Sequence, residues 1–177
     1  MKTIISIGAL LFLIFNGIAQ QANYPQLKAE AERAYAEGSY ARAYEIYNRV
    51  DRAALSQSEG RWVEFRLADT LWRSQAATQT ADNTKFEEAQ KQLAELIRVS
   101  DKAEDRDVIW AEAHESLGDF YWTRRDQLNW GAAWPHYQMA LDWWAGQRDI
   151  KLARERYLKI VFKSAEAPHS HAFYYYT

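Results

Sequence analysis

The chain has 177 residues, a formal charge of −2, no cysteine, and a rich aromatic content of eight Trp, eleven Tyr and seven Phe. That length suits a single domain with a sizeable core. The near-neutral balance lacks the basic footprint of a DNA or RNA binder, and a chain without cysteine has neither disulfides nor thiolate metal sites, so packing alone must stabilise it.

The amino terminus reads as an export address. Lys2, an apolar run from Ile4 to Phe15 and the small-x-small triplet Gly17-Ile18-Ala19 predict a signal peptide over residues 1–19, cut after Ala19. The alternative is a retained anchor, but the uncharged stretch from Thr3 to Ala19 contains Ser6 and Asn16 and sits at the short limit for a spanning helix. No stable membrane insertion is therefore expected after cleavage, and the mature product is expected in the periplasm or outside the cell. Loss of Lys2 takes the formal charge from −2 to −3.

From Tyr24 to Glu37, Leu27, Ala31, Ala34 and Tyr35 recur at helical spacing, with Pro25 tolerated in a first turn. Gly38-Ser39 breaks this helix, and Tyr40, Ala43, Tyr44, Tyr47 and Val50 trace a second, which the short turn forces to pack antiparallel. A third helix is expected to start near Ser58 as its cap and to run through Trp62, Phe65, Ala68 and Trp72. Residues 73–83, rich in Ser, Gln, Thr and Ala, predict a frayed end and a surface loop. The fourth helix spans Lys85 to Val99 with Phe86, Ala89, Leu93, Leu96 and Ile97 on one side. Trp110, Ala113, Leu117, Gly118 and Tyr121 mark a fifth, and Ala133, Tyr137, Ala140 and Leu141 a sixth, with Pro135 placed in its opening turn and Gly146 ending it. A seventh runs from Arg148 to Lys163, and no segment carries a strand pattern. The domain reading is signal peptide 1–19, helical array 20–163, and residues 164–177 as a tail or the start of a further region.

One motif recurs four times: a small residue followed four positions later by an aromatic, at Ala31 and Tyr35, Ala68 and Trp72, Gly118 and Trp122, Ala153 and Tyr157. On a helix the two share a face. The small residues are 37, 50 and 35 positions apart, near the period of about 34 of a helix–turn–helix array with one insertion. Leu117-Gly118-x-x-Tyr121 with Ala133-x-x-x-Tyr137-x-x-Ala140, and Gly38-x-Tyr40-x-x-Ala43-x-x-x-Tyr47, resemble the tetratricopeptide repeat. Leu67-Ala68-x-x-Leu71 with Ala89-x-x-x-Leu93 is a weaker copy. His114 and Leu27 stand where the family favours Trp, and the family's closing Pro is missing. The resemblance covers Tyr24 to about Lys163 and implies an all-α fold: a right-handed α-solenoid of about three and a half helix pairs, some seven helices, the fourth pair half present.

The resemblance also implies a concave groove lined by the first helix of each pair. By register its positions are Lys28, Glu32 and Tyr35; then Phe65, Asp69, Trp72 and Arg73; then Glu112, Glu115, Asp119 and Trp122; with Tyr157 extending the row. Two readings compete for the aromatics Tyr35, Trp72, Trp122 and Tyr157: a docking ladder, or packing between neighbouring repeats. The acidic set Glu112, Glu115 and Asp119 favours a basic segment of a protein or peptide partner. Catalysis is not expected. His114-Glu115 lacks a second His at i+4, no nucleophile elbow or phosphate loop is present, and His169-x-His171 alone is too few ligands, so neither metal nor cofactor is expected. The expected function is an exported interaction scaffold. Its alternatives are glycan capture, prompted by the cluster Trp130, Trp134, Trp143 and Trp144 in which adjacent Trp143 and Trp144 cannot both enter one core, and the N-terminal helical module of a larger macroglobulin-like protein, prompted by the unfinished fourth pair and the terminal run Phe173 to Tyr176.

Overall fold

The structure, a computed structural model, describes residues 24–76, 82–123 and 128–176, with side chains except those of Thr123, Ile150 and residues 166–176. The predicted signal peptide lies outside the described residues, as do 77–81 of the predicted loop. Among the described residues seven helices follow one another: α1 over residues 24–36, α2 Tyr40–Asn48, α3 Gln57–Ala76, α4 Asn83–Arg98, α5 Val108–Thr123, α6 Trp130–Ala145 and α7 Ile150–Tyr176. Among the described residues there is no strand.

Local chemistry sets the helix ends. Gly38 takes φ +76°, a left-handed conformation that L side chains avoid, and closes α1 as the Ser39 amide donates to the Ala34 carbonyl at 2.8 Å. The start of α3 differs from expectation: Ser56, not Ser58, stands at its head. The Ser56 amide donates to Glu59 Oε2 at 2.9 Å and the Glu59 amide to Ser56 Oγ at 3.3 Å, a reciprocal Ser-x-x-Glu box that leaves Ser58 inside the first turn. Asp82 caps α4 through the Thr84 amide, and Asn129 caps α6 through that of Ala132. Because α6 begins at Trp130, Pro135 falls in its second turn and removes the amide that would bond the Gly131 carbonyl, and the helix continues past it. α7 runs beyond its expected end at Lys163, through Pro168 to Tyr176, since Pro168 withdraws one amide without breaking the helix around it.

Each helix from α2 onward packs on the next, and α3 also packs on α5. The core is three linked clusters. Tyr24, Ala31, Ala34, Ala43, Ile46 and Tyr47 meet Val63 and Leu67 where α1 and α2 lie on α3. Phe65, Trp72, Phe86, Leu93, Leu117 and Phe120 join α3, α4 and α5. Trp110, Ala133, Tyr137, Trp144, Ala153 and Ile160 join α5, α6 and α7. A Cβ on Gly118 would lie 2.5 Å from the Tyr137 ring, so the α5–α6 crossing requires glycine. α5 is the most enclosed helix, buried at every residue from Ile109 to Phe120.

Candidate functional site

Charged side chains on α1, α3, α5 and α7 meet in one network. On α3, Arg66, Asp69 and Arg73 stand at i, i+3, i+7; on α5, Glu112, Glu115 and Asp119 repeat that spacing; on α7, Arg156 and Lys163 are seven apart. Equal spacing puts each row on one helix face, so the rows come into register where the helices pack.

Arg66 grips Glu32 of α1 with two bonds, Nε to Oε1 at 2.8 Å and Nη2 to Oε2 at 2.9 Å. Its Nη1 lies 3.7 Å from Asp69 and 3.9 Å from Glu112. Arg73 bridges Asp69 at 2.8 Å and Asp119 at 2.9 Å. Asp119 also accepts from the Tyr137 hydroxyl at 2.7 Å and pairs with Lys163 of α7. Arg156 pairs with Glu112 at 2.6 Å and approaches Glu115 at 3.4 Å, and Glu115 accepts from the Trp144 indole at 2.7 Å. Ser116 donates to Asp69 at 2.6 Å and accepts from the Trp72 indole at 2.9 Å.

Burial alone would raise the Asp119 carboxyl; Arg73 and Lys163 outweigh it and hold the group below the usual carboxylate range. Asp69 is held down in the same way by Arg73 and Arg66. Glu115 goes the other way, raised by burial with Arg156 only partly offsetting it. Burial, with the charge of Asp69 beside it, raises the Tyr35 hydroxyl.

Of the twelve predicted groove positions, Glu32, Asp69, Arg73, Glu112, Glu115 and Asp119 come together, but as an enclosed layer between helices, and among the described residues the other six take no part in its ion pairs. Asp69 is 1% exposed and Glu112, Glu115 and Asp119 are buried, so the acidic row is already met by Arg156 and Lys163 of the same chain. Phe65 and Trp72 are core, Trp72 packing edge-on against Phe120 with centroids 5.8 Å apart. Tyr35 is half-buried beneath the Arg66 guanidinium, 4.3 Å from its ring, and Lys28 lies over Trp62 at 4.7 Å. Trp122 is half-buried, edge-on to Trp130 at 4.9 Å, and only Tyr157 of the four recurring aromatics is exposed. Among the described residues no two of those four stack on each other; each packs within its own neighbourhood.

Sequence reasoning missed Arg66, Ser116, Arg156 and Lys163. The available signal was the repeated i, i+3, i+7 charge spacing on two helices otherwise rich in apolar residues. It also missed His136, which meets His114 with Nδ1 to Nδ1 at 2.9 Å, while His114 Nε2 is buried without a partner. Burial and the neighbouring His136 and Arg106 push His114 down to about 3, and burial also lowers His136, so the pair is neutral at physiological pH. Among the described residues no group of three His, Cys, Asp or Glu is placed to hold a metal, and the side chains of His169 and His171 lie outside them.

Of the adjacent tryptophans, Trp144 is buried and Trp143 half-buried; Trp143 lines a shallow cleft of about 480 Å³ with Arg106, Trp110, Met139 and Asp142. The outer side of α7 is different in kind, with Tyr157, Leu158, Val161 and Phe162 all exposed. Among the described residues no helix is long and apolar enough to cross a membrane. Comparison with family models, curated proteins and solved structures finds no match.

Proposed function

We propose that this chain is an exported protein–protein docking scaffold, a tetratricopeptide-like right-handed solenoid of helix pairs with no catalytic activity of its own. The observation that carries the reading is the outer face of α7. Four of the ten exposed large hydrophobic side chains among the described residues, Tyr157, Leu158, Val161 and Phe162, sit on that one face, and a concentrated apolar surface marks an interaction site. The serial helix packing and the glycine-dependent α5–α6 crossing support the repeat architecture. With the acidic row of α5 paired internally, the docking surface lies on the outside of α7 and not in the groove.

Co-purification from the native cell envelope tests this, with Leu158→Asp and Phe162→Asp variants as controls. A partner held by the wild type and lost from both variants is expected; the same set of proteins from all three would overturn the reading. Export is checked by the amino terminus of the mature product, expected at Gln20, and an uncut cytoplasmic product would refute it. A second reading, glycan capture, is favoured by the cleft beside Trp143, where an indole and the polar Asp142 and Arg106 lie together. Trp fluorescence titrated with a broad glycan panel tests it, and silence would exclude it.

A further inference from the structure

We propose that the trough between the end of α6 and α7 receives an acidic amphipathic helix from a partner protein. The inference rests on the docking reading above and adds the chemistry of the occupant.

The trough, about 340 Å³, is lined by Trp144, Ala145, Ala153, Arg154, Tyr157 and Leu158. Two faces of α7 divide its residues. Ala153, Arg156, Ile160 and Lys163 turn inward, to the core and to the acids of α5. Arg154, Tyr157, Leu158, Val161 and Phe162 stand at i, i+3, i+4, i+7 and i+8, one continuous outer stripe. Leu158 is 53% and Phe162 65% exposed. A stripe with that spacing matches the apolar face of a second helix laid alongside it.

The charge of the occupant follows from what borders the stripe. Arg154 and Lys151 form a hollow beside Leu158, with Glu155 as the one acid lining it. Neither Arg154 nor Lys151 has an ion-pair partner among the described residues, whereas the two inward cations are both paired. The cations left for a partner are outside, so the complementary helix carries acids beside its apolar stripe. The position also continues the fold's own alternation: α4 packs on α3 and α5, and α6 on α5 and α7.

The test uses two synthetic helical peptides of about 18 residues that share one Leu and Ala stripe, one with Glu and the other with Lys at the flanking positions. Each is labelled and titrated against the full chain by fluorescence anisotropy at low salt. The Glu peptide is expected to bind about tenfold more tightly than the Lys peptide, and to lose about tenfold on Leu158→Asp or Phe162→Asp. Arg154→Glu should erase the preference between the two. All three side chains are exposed, and circular dichroism checks that the variants keep their helix content. Equal binding of both peptides overturns the charge assignment and leaves the docking reading intact. Binding indifferent to Leu158→Asp and Phe162→Asp places the peptide elsewhere and overturns the site. Binding of neither peptide, with partition onto vesicles of phosphatidylglycerol and phosphatidylcholine, overturns the inference in favour of a lipid surface. Failure of the docking reading itself is seen separately, in the co-purification experiment.

Discussion

α5 and α7 face each other across the same ion pairs, yet they are opposites. α5 is buried at every residue from Ile109 to Phe120, including Glu112, His114, Glu115 and Asp119. Of the described side chains on α7, only Ala153 and Ile160 are buried, and Tyr157, Leu158, Val161 and Phe162 are exposed. Burial here follows position in the array and not side-chain polarity. α5 has α3, α4, α6 and α7 around it and can enclose three acids because cations arrive from both sides; among the described residues α7 packs against α6 and pairs with α5 on its inner side.

The largest expected effect breaks the enclosed side of this contrast. Asp119→Ala leaves Arg73, Lys163 and the Tyr137 hydroxyl without their shared acceptor, and is expected to cost about 3–5 kcal/mol in urea unfolding. Gly118→Ala drives a methyl into the Tyr137 ring and is expected to cost about 1–3 kcal/mol, with Gly118→Ser no better. A third effect is read with acid. His114 has a folded pKa of about 3, below its unfolded value near 6.5, so the unfolded chain binds more protons between those limits and stability falls as pH drops through that window. The wild type should therefore lose about 1 kcal/mol per pH unit more than His114→Gln between pH 6 and pH 4, measured by unfolding at each pH. Smallest is the exposed side: Phe162→Ser should change stability by less than about 0.5 kcal/mol, because that ring is already in solvent. A large loss there would mean that α7 has a covered outer face and would dissolve the contrast with α5.

Much of the helical frame was legible. The i, i+3, i+4 stripes located the seven helices of the described residues, Gly38 marked the first turn, and the small residues Gly118 and Ala153 fell at close packing. The capping of α3 was misplaced by two residues because Ser56 and Ser58 carry the same side chain; only Glu59, three after Ser56, separates them. The extent of α7 was missed because Pro168 and the Ser and His around it read as loop, although one missing amide does not end a helix.

The helix face of each charged row was legible, but its environment was not. Glu112, Glu115 and Asp119 were placed on one face correctly, since spacing along a helix is local. Whether that face meets solvent, a partner or the chain's own Arg156 and Lys163 depends on which helix comes to rest there, and those cations lie 44 residues away for both Glu112 with Arg156 and Asp119 with Lys163. The sequence by itself determined the helices, their turns and the faces on which charge and small residues fall, because φ, hydrogen bonding and periodicity act over a few residues. Only the tertiary structure decided that the acidic row is enclosed and the apolar face of α7 exposed, because burial is set by long-range packing that no local pattern contains.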